Sequence, residues 1–357
     1  MSFHEILIAV MAGFAVLGAI DRIFGNCWGL GKEFEEGILA MGSLALAMVG
    51  IVSLAPVLAA VLKPVVGPIY GFLGADPAMF AGTILACDMG GGALARQMTA
   101  DSAAALLGGV LTGSMLGATI VFTIPVAMGI LKEEDRPAMA KGILCGIVTI
   151  PVGVLAGGLT AGFPAGMVVR NLIPIVLIAA LIALGLWRAE RAMVKGFELF
   201  GKLVVILVTV GLAAAIVEEL TGFPIIPGMA PVSEGFATVG TIAIILAGAF
   251  PLVFVLTKLL RKPLMAVGRL LGINDAAAAG LIASLANSIA TFGLVKDMNE
   301  RGKVVNIAFA VSAAFVFGDH LGFTAGFAPE MIGPMIVGKL AGGVSAVIVA
   351  LWLTKKD

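Results

Sequence analysis

Runs of apolar residues dominate this chain, and nine of them are predicted to cross a lipid bilayer as helices. A spanning segment must satisfy its backbone hydrogen bonds internally, so apolar runs of this kind fold as helices. Only 12% of the residues are charged, against about 25% in soluble domains, and the mean hydropathy is +1.13. The chain is therefore predicted to be an all-α polytopic membrane protein with about nine transmembrane helices. These cover residues 6–20, 38–62, 103–131, 142–162, 171–187, 203–217, 236–257, 304–326 and 337–353.

Charge and cysteine content exclude several classes of protein. The formal net charge is zero, and the sequence has no basic patch of the kind that binds nucleic acid. No nucleic-acid partner is therefore expected. The three cysteines are scattered and form no C-x-x-C pair, which argues against a disulfide framework and a structural zinc site. We expect neither a metal nor a cofactor.

Two further apolar segments, 78–95 and 276–295, are rich in small and polar residues and fit re-entrant hairpins better than spans. The first contains Asp88 followed by Gly90, Gly91 and Gly92. A carboxylate at the bilayer centre costs roughly 2.5–3.5 kcal/mol, and consecutive glycines weaken a helix by about 1 kcal/mol each. Lipid tolerates such a break only where protein or a cavity surrounds it. The segment therefore predicts a broken helix around a polar site.

The distribution of basic residues predicts the orientation of the chain. The richest basic cluster lies at 188–202, and we assign it to the cytoplasm by the positive-inside rule. With 276–295 as a hairpin, the basic residues at 258–269, 296–303 and 355–356 also lie inside. The N-terminus is then outside and the C-terminus cytoplasmic.

An internal repeat supports the same arrangement. Glu36-Gly37 corresponds to Glu234-Gly235 at a shift of 198 residues, and features follow in the same order in both halves. We predict a first repeat over 1–162, a linker helix and cytoplasmic loop over 163–202, and a second repeat over 203–357. Each repeat holds four spans and one hairpin, and the helix 171–187 lies between the repeats. Four spans plus this helix make an odd number of crossings, so the second repeat is inverted in the membrane. Inverted repeats with broken helices are typical of secondary transporters.

The repeat brings the tips of the two hairpins together near the membrane midplane. Asp88 then lies beside Asn287, with Ser284 and Ser288 as neutral hydrogen-bonding groups. Ionisable residues are costly inside a membrane and usually mark a functional site. Asp88 is therefore the first candidate for substrate binding. A structural carboxylate paired with Arg96 or Arg170 is the alternative. Asn287 and the two serines could equally hold helices together.

Asp319 and His320 form a third polar cluster, inside the predicted span 304–326. Adjacent residues on a helix point in different directions, so they need not pair with each other. Asp319 is a candidate for the site, and His320 could carry protons near neutral pH. The alternative is a helix break whose polar groups are satisfied by the adjoining hairpin.

Four stretches resemble the ethanolamine-utilisation permease family, EutH. They are FEEGILAMGSLALAMVGIVSLAPVLA (34–59), GTILACDMGGGALA (82–95), VSAAFVFGDHLGF (311–323) and MIVGKLAGG (335–343), and the likeness covers nearly the whole chain. The resemblance implies a multi-pass carrier in the bacterial inner membrane that imports ethanolamine, a small cation with one hydroxyl group. The lipid bilayer is its other partner, and we further expect a homodimer.

The sequence leaves open how transport is driven. The carrier could work by alternating access at a midplane site, alone or coupled to protons or sodium ions. It could instead be a channel-like facilitator, or a symporter of another small amine. An intramembrane enzyme that uses Asp88 and Asp319 as an acid pair is disfavoured, because the sequence has no nucleophile beside a base and no zinc motif.

Overall fold

The protein is a bundle of helices. The computed structural model describes residues 3–354, except for the side chains of Leu260 and Leu264; Lys355 and Lys356 lie outside this range. No strand occurs among the described residues, and the prediction of an all-α polytopic membrane protein is confirmed. The α-helices are α1 (Phe3–Ile23), α2 (Leu30–Phe72), α3 (Ala78–Ile84), α4 (Gly92–Met98), α5 (Ser102–Leu106), α6 (Ile124–Ile130), α7 (Arg136–Ile147), α8 (Ile150–Thr160), α9 (Ala165–Thr221), α10 (Val232–Leu271), α11 (Asp275–Ala286), α12 (Ser288–Leu294), α13 (Glu300–Ala313), α14 (Asp319–Phe327) and α15 (Ile332–Leu353).

Seven helical stretches of the described chain are long and apolar enough to cross a bilayer. Together they contain eight of the nine predicted runs almost completely, because the longest stretch includes two of them. The number of crossings, the repeat and the orientation of the termini stay predictions. The seven stretches are Phe3–Ile23, Leu30–Phe72, Ser102–Ile130, Glu133–Thr160, Ala165–Thr221, Val232–Leu259 and Pro329–Leu353.

The basic cluster at 188–202 is helical, although the sequence was expected to form a loop there. It lies within α9, which contains both predicted spans 171–187 and 203–217 and consists of two helices that meet at a break at Ala189 (φ −145°, ψ 47°). Hydropathy marks where a helix leaves lipid but does not report the structure beyond that point, and Arg, Lys, Glu and Ala are good helix formers in water. After the break at Ala189, a second helix therefore passes through the charged region.

The ninth predicted run, 304–326, is two helices instead of one. α13 ends at Ala313 and α14 begins at Asp319, and Phe315 between them has a positive φ of 63°. The amide groups of Phe315 and Phe317 donate to the carbonyl oxygens of Ser284 and Leu285, at 3.0 and 2.9 Å. The backbone opened by the break thus finds its hydrogen bonds at the end of α11, as the membrane interior requires.

Residues 78–98, named hairpin 1, fold as two short helices that are connected by a non-helical tip. α3 leads into extended residues Leu85 and Ala86, a single wide turn follows, and α4 returns. At the base, the Thr99 hydroxyl donates to a carboxylate oxygen of Asp76 at 2.7 Å. The segment therefore leaves the bundle close to where it enters, as a hairpin does.

Residues 275–294, named hairpin 2, have the same construction. α11 and α12 meet at Asn287, whose backbone is extended (φ −157°, ψ 128°). At the base, the Asn274 side chain donates to the carbonyl oxygen of Asp297 at 2.8 Å, and the Asn299 side chain to that of Gly272 at 3.1 Å. The bases of both hairpins are thus fixed by side chains just outside their helices.

Two groups of helices surround the hairpins. α2 and α10 pack side by side, with α1 and α9 against them. The second group consists of α7, α8, α13 and α15. Hairpin 1 lies against α2 and a wide π-helical stretch, Leu107–Gly117, that continues α5; hairpin 2 lies against α10 and α13.

Candidate functional site

The tip of hairpin 1 holds Asp88 in a backbone conformation that a continuous helix would not provide. α3 ends at Ile84, and the amide of Gly91 then closes the wide turn onto the carbonyl oxygen of Ala86 at 2.9 Å. Gly90 has φ +91°, the left-handed region that favours glycine. The glycine run therefore provides the reversal, and the acidic side chain sits at its start.

Asp88 lies beside His320, which comes from α14. Asp88 Oδ1 is 3.7 Å from His320 Nε2, and 3.9 Å from the Sγ atom of Cys87. The His320 side chain is 4% exposed and that of Asp88 is 14% exposed. His320 Nδ1 has no hydrogen-bond partner among the described residues. Arg96, which the sequence offered as a structural partner for Asp88, instead donates to the carbonyl oxygen of Phe327 at 2.7 Å.

A small cavity adjoins these groups. Its volume is about 30 Å³, which is room for about two water molecules. Asp88 and Asp319 interact electrostatically across this region. Phe315 packs its ring against Phe122 at 5.4 Å and against His320 at 5.2 Å between centroids. The cavity is lined by Ala86, Asp88, Met89, Ala118, Phe122, Phe315, Asp319 and His320.

A second, larger cavity of about 230 Å³ also adjoins the hairpin 1 tip. Cys87 and Gly90 belong to its wall, whereas Ala86 and Asp88 belong to that of the small cavity. The tip therefore contributes to the walls of both cavities. The larger cavity is lined by Met48, Val52, Ala55, Cys87, Gly90, Ala93, Arg96, Gln97, Ala230, Glu234, Thr238, Phe323, Gly326 and Phe327.

Lys339 is a buried cation that the sequence reasoning passed over. It is 1% exposed within α15, and its ammonium group donates to the carbonyl oxygen of Ser114. It is close enough to interact electrostatically with Asp88 and Cys87. The rule that singled out Asp88, an ionisable residue inside an apolar run, applies equally to this lysine. Asp88, Asp319 and Lys339 together carry a net charge of −1 when each is ionised.

The polar side chains of hairpin 2 do not line the small cavity. Ser284 shares a hydrogen bond of 2.8 Å with the Thr291 hydroxyl, which also bonds to the carbonyl oxygen of Gly280 at 2.9 Å. Asn287 accepts from the amide of Ile289 at 2.8 Å and caps α12. Ser288 is buried, and its hydroxyl has no partner among the described residues. Two of these groups thus hold the hairpin together, and a binding role for any of the three stays a prediction.

The comparisons with known proteins agree with the resemblance read from the sequence. The model of a family described as "Ethanolamine utilisation protein, EutH" matches residues 3–353. A protein of Listeria monocytogenes named probable ethanolamine permease EutH is 61% identical over 356 residues, which cover 100% of this chain and 95% of that protein. Proteins of the same name from Salmonella typhimurium and Escherichia coli K12 are 49% and 48% identical, over 100% of this chain and 97% of theirs.

Those two alignments extend over 395 positions, more than the 357 residues of this chain, so both relatives carry residues that it lacks. No solved structure matches the chain. Both the family match and the identities extend over nearly the full length. The chain therefore belongs to the EutH family of ethanolamine utilisation proteins.

Proposed function

We propose that the protein carries ethanolamine across the bacterial inner membrane, with Asp88 as the counter-charge for the substrate ammonium group. The observation that supports this most is the buried cluster of Asp88, Asp319 and His320 around one small cavity. Relatives at 48–61% identity are named probable ethanolamine permeases, which favours a transporter over an enzyme.

The charges of the cluster suit a single small cation. Lys339 compensates one of the two carboxylates, so one negative charge remains for the substrate when His320 is neutral. The rings of Phe122 and Phe315 beside the carboxylates add aromatic faces, which attract ammonium groups. The hydroxyl of ethanolamine can bond to His320, whose Nδ1 atom lacks a partner among the described residues.

Binding to this site is expected to be weak. Ethanolamine has four heavy atoms, and about 1.5 kcal/mol per atom is the upper limit for very small ligands. The binding free energy therefore stops near 6 kcal/mol, or a dissociation constant of roughly tens of micromolar. Such an affinity suits a carrier, which must release its substrate.

Alternating access is the mechanism that we infer for the carrier. The small cavity has room for about two water molecules, so ethanolamine needs the walls to separate before it can enter. The tip of hairpin 1 contributes to the walls of both the small and the larger cavity, which supports a gate at Cys87–Gly91. We propose that the two hairpins open in turn toward opposite sides, in the inverted-repeat arrangement predicted from the sequence.

Uptake of labelled ethanolamine into proteoliposomes tests the proposal. Three conditions are compared: no ion gradient, an inward proton gradient and an inward sodium gradient. Uptake above that of protein-free liposomes supports a carrier, and stimulation by one gradient identifies the coupling ion. Equal uptake in all three favours a facilitator. The absence of protein-dependent uptake under every condition would contradict the proposed function.

A further inference from the structure

Three side chains at the tip of hairpin 1 and the start of α14 bring together one sulfur, one oxygen and one nitrogen atom that could ligate a metal ion. The Cys87 Sγ atom, an Asp88 carboxylate oxygen and a His320 ring nitrogen all lie within 4.8 Å of one another. Cys87 and Asp88 are adjacent, but His320 lies far along the chain from both, so no sequence motif indicates a metal site. The fold alone brings them together.

The chemistry of these donors selects the kind of metal ion. Thiolate is a soft ligand and imidazole a borderline one, which together favour Zn²⁺ or Cd²⁺ over the hard ions Mg²⁺ and Ca²⁺. Zinc binds nitrogen and oxygen at about 2.0–2.2 Å and sulfur at about 2.3 Å, so tetrahedral ligand atoms lie roughly 3.3–3.7 Å apart. Asp88 Oδ1 is already 3.7 Å from His320 Nε2 and 3.9 Å from Cys87 Sγ. Small side-chain rotations would close the remaining distance between sulfur and nitrogen.

The surroundings provide a fourth ligand position and a route of entry. The small cavity beside Asp88 and His320 has room for about two water molecules, one of which could complete a tetrahedron. Cys87 also forms part of the wall of the larger cavity, and because this cysteine is buried, the tip must move before an ion from that cavity reaches the sulfur. Binding releases the thiol proton, because only the thiolate ligates the metal.

We propose that Cys87, Asp88 and His320 form an inhibitory site for a thiophilic divalent cation such as Zn²⁺ or Cd²⁺. Binding there occupies Asp88 and ties hairpin 1 to α14. This consequence rests on the proposed function, since an ion on Asp88 excludes the substrate ammonium group. The ion would be an inhibitor that competes with ethanolamine, not a resident cofactor.

Cadmium binding to purified protein tests the site without any need for transport. The chain has three cysteines and two histidines, so Cys27→Ala/Cys145→Ala leaves Cys87 as the sole thiol. Titration of this variant with Cd²⁺ should produce a thiolate-to-cadmium charge-transfer absorption that saturates at one ion per chain. Excess Zn²⁺ should displace it. Adding Cys87→Ala should abolish the band, and His320→Gln should weaken cadmium binding at least tenfold.

His4→Gln in the same background is the matched control and should leave the titration unchanged. Size-exclusion elution of each variant shows that it remains folded, and Cys87→Ser serves if Cys87→Ala does not. No saturable band from the sole-cysteine variant, or equal cadmium affinity after His320→Gln, would overturn the proposed site.

The dependence on the proposed function is tested separately. Millimolar ethanolamine should raise the apparent dissociation constant for Cd²⁺, and Cd²⁺ should inhibit uptake into proteoliposomes. If cadmium binds but ethanolamine neither competes with it nor is transported, the metal site stands and the proposed function fails. If ethanolamine is transported but the band is absent, the metal site fails alone. Binding without competition, in a protein that does transport ethanolamine, would overturn the inhibitory role.

Discussion

Lys339 donates a hydrogen bond from its buried ammonium group to the carbonyl oxygen of Ser114, in the wide helix that packs against hairpin 1. The carbonyl group is uncharged, so this bond does not neutralise the charge of the lysine. The lysine interacts electrostatically with Asp88, Cys87 and His320. Lys339 thus influences the site through the electric field of its ammonium group. A substitution that removes this charge therefore tests its effect on the site.

Lys339→Met should strongly reduce uptake of ethanolamine and lower the thermal stability of the protein. Removal of one charge from a compensated buried cluster costs about 3–5 kcal/mol. Adding Asp319→Asn removes the excess negative charge and should restore part of the stability, as a double-mutant cycle in detergent would measure. Exposed Lys202→Met is the control. Additive effects of the two substitutions would mean that Lys339 and Asp319 are not coupled.

Asp88→Asn keeps the shape of the side chain but removes the charge proposed to bind the substrate. A loss of about 3 kcal/mol would move binding from tens of micromolar to several millimolar. Uptake at micromolar ethanolamine should therefore vanish, while growth on high ethanolamine can continue through diffusion of the neutral amine. Exposed Asp275→Asn should behave as the wild type. Normal uptake by Asp88→Asn at low concentration would make Asp319 the better candidate.

Asn287→Ala should have a milder effect, and mainly on stability. The side chain caps α12 through the amide of Ile289, and loss of a cap costs about 1 kcal/mol. The thermal unfolding temperature should fall slightly, and the KM for ethanolamine should stay nearly constant. A large rise in KM with unchanged stability would instead assign Asn287 to the binding site.

Gly91→Ala should impair transport although the protein still inserts into the membrane. A Cβ atom at this position would lie 2.7 Å from the carbonyl oxygens of Leu85 and Ala86, which the turn cannot easily move. Gly293→Ala is the matched control, because a Cβ there meets nothing within 4 Å and alanine favours a helix. Uptake assays on membranes with equal protein content compare the two. Equal uptake would mean that the hairpin tip tolerates a wider turn.

The inverted repeat predicts that the two hairpin bases lie on opposite sides of the membrane. Asp101→Cys and Asp297→Cys, both at exposed positions, are introduced singly into a chain without Cys27, Cys87 and Cys145. An impermeant maleimide applied to intact cells should label only the position at 101. Disruption of the cells should then expose the position at 297. Labelling of both from the same side would contradict the repeat.

The helices and hairpins could be predicted from sequence because hydropathy and the positions of small polar residues report directly on the membrane environment. The helix that follows the break at Ala189 and carries the basic cluster could not, since charged residues mark the end of the lipid but do not exclude a helix in water. Polarity also could not separate Asp88, which faces a cavity, from Ser284, which pairs with Thr291. Only the arrangement in space distinguishes a binding group from one that holds the hairpin together.

The close contact between Gly82 and Gly108 means that hairpin 1 cannot complete its packing until its later-made partner is present. A Cβ at either position would overlap the facing backbone, so hairpin 1 and the wide helix Leu107–Gly117 meet main chain to main chain. Hairpin 1 leaves the ribosome before its partner has been made. A broken helix is poorly tolerated by lipid alone, so we expect hairpin 1 to take its final place in the bilayer only after the helix Leu107–Gly117 has emerged from the ribosome.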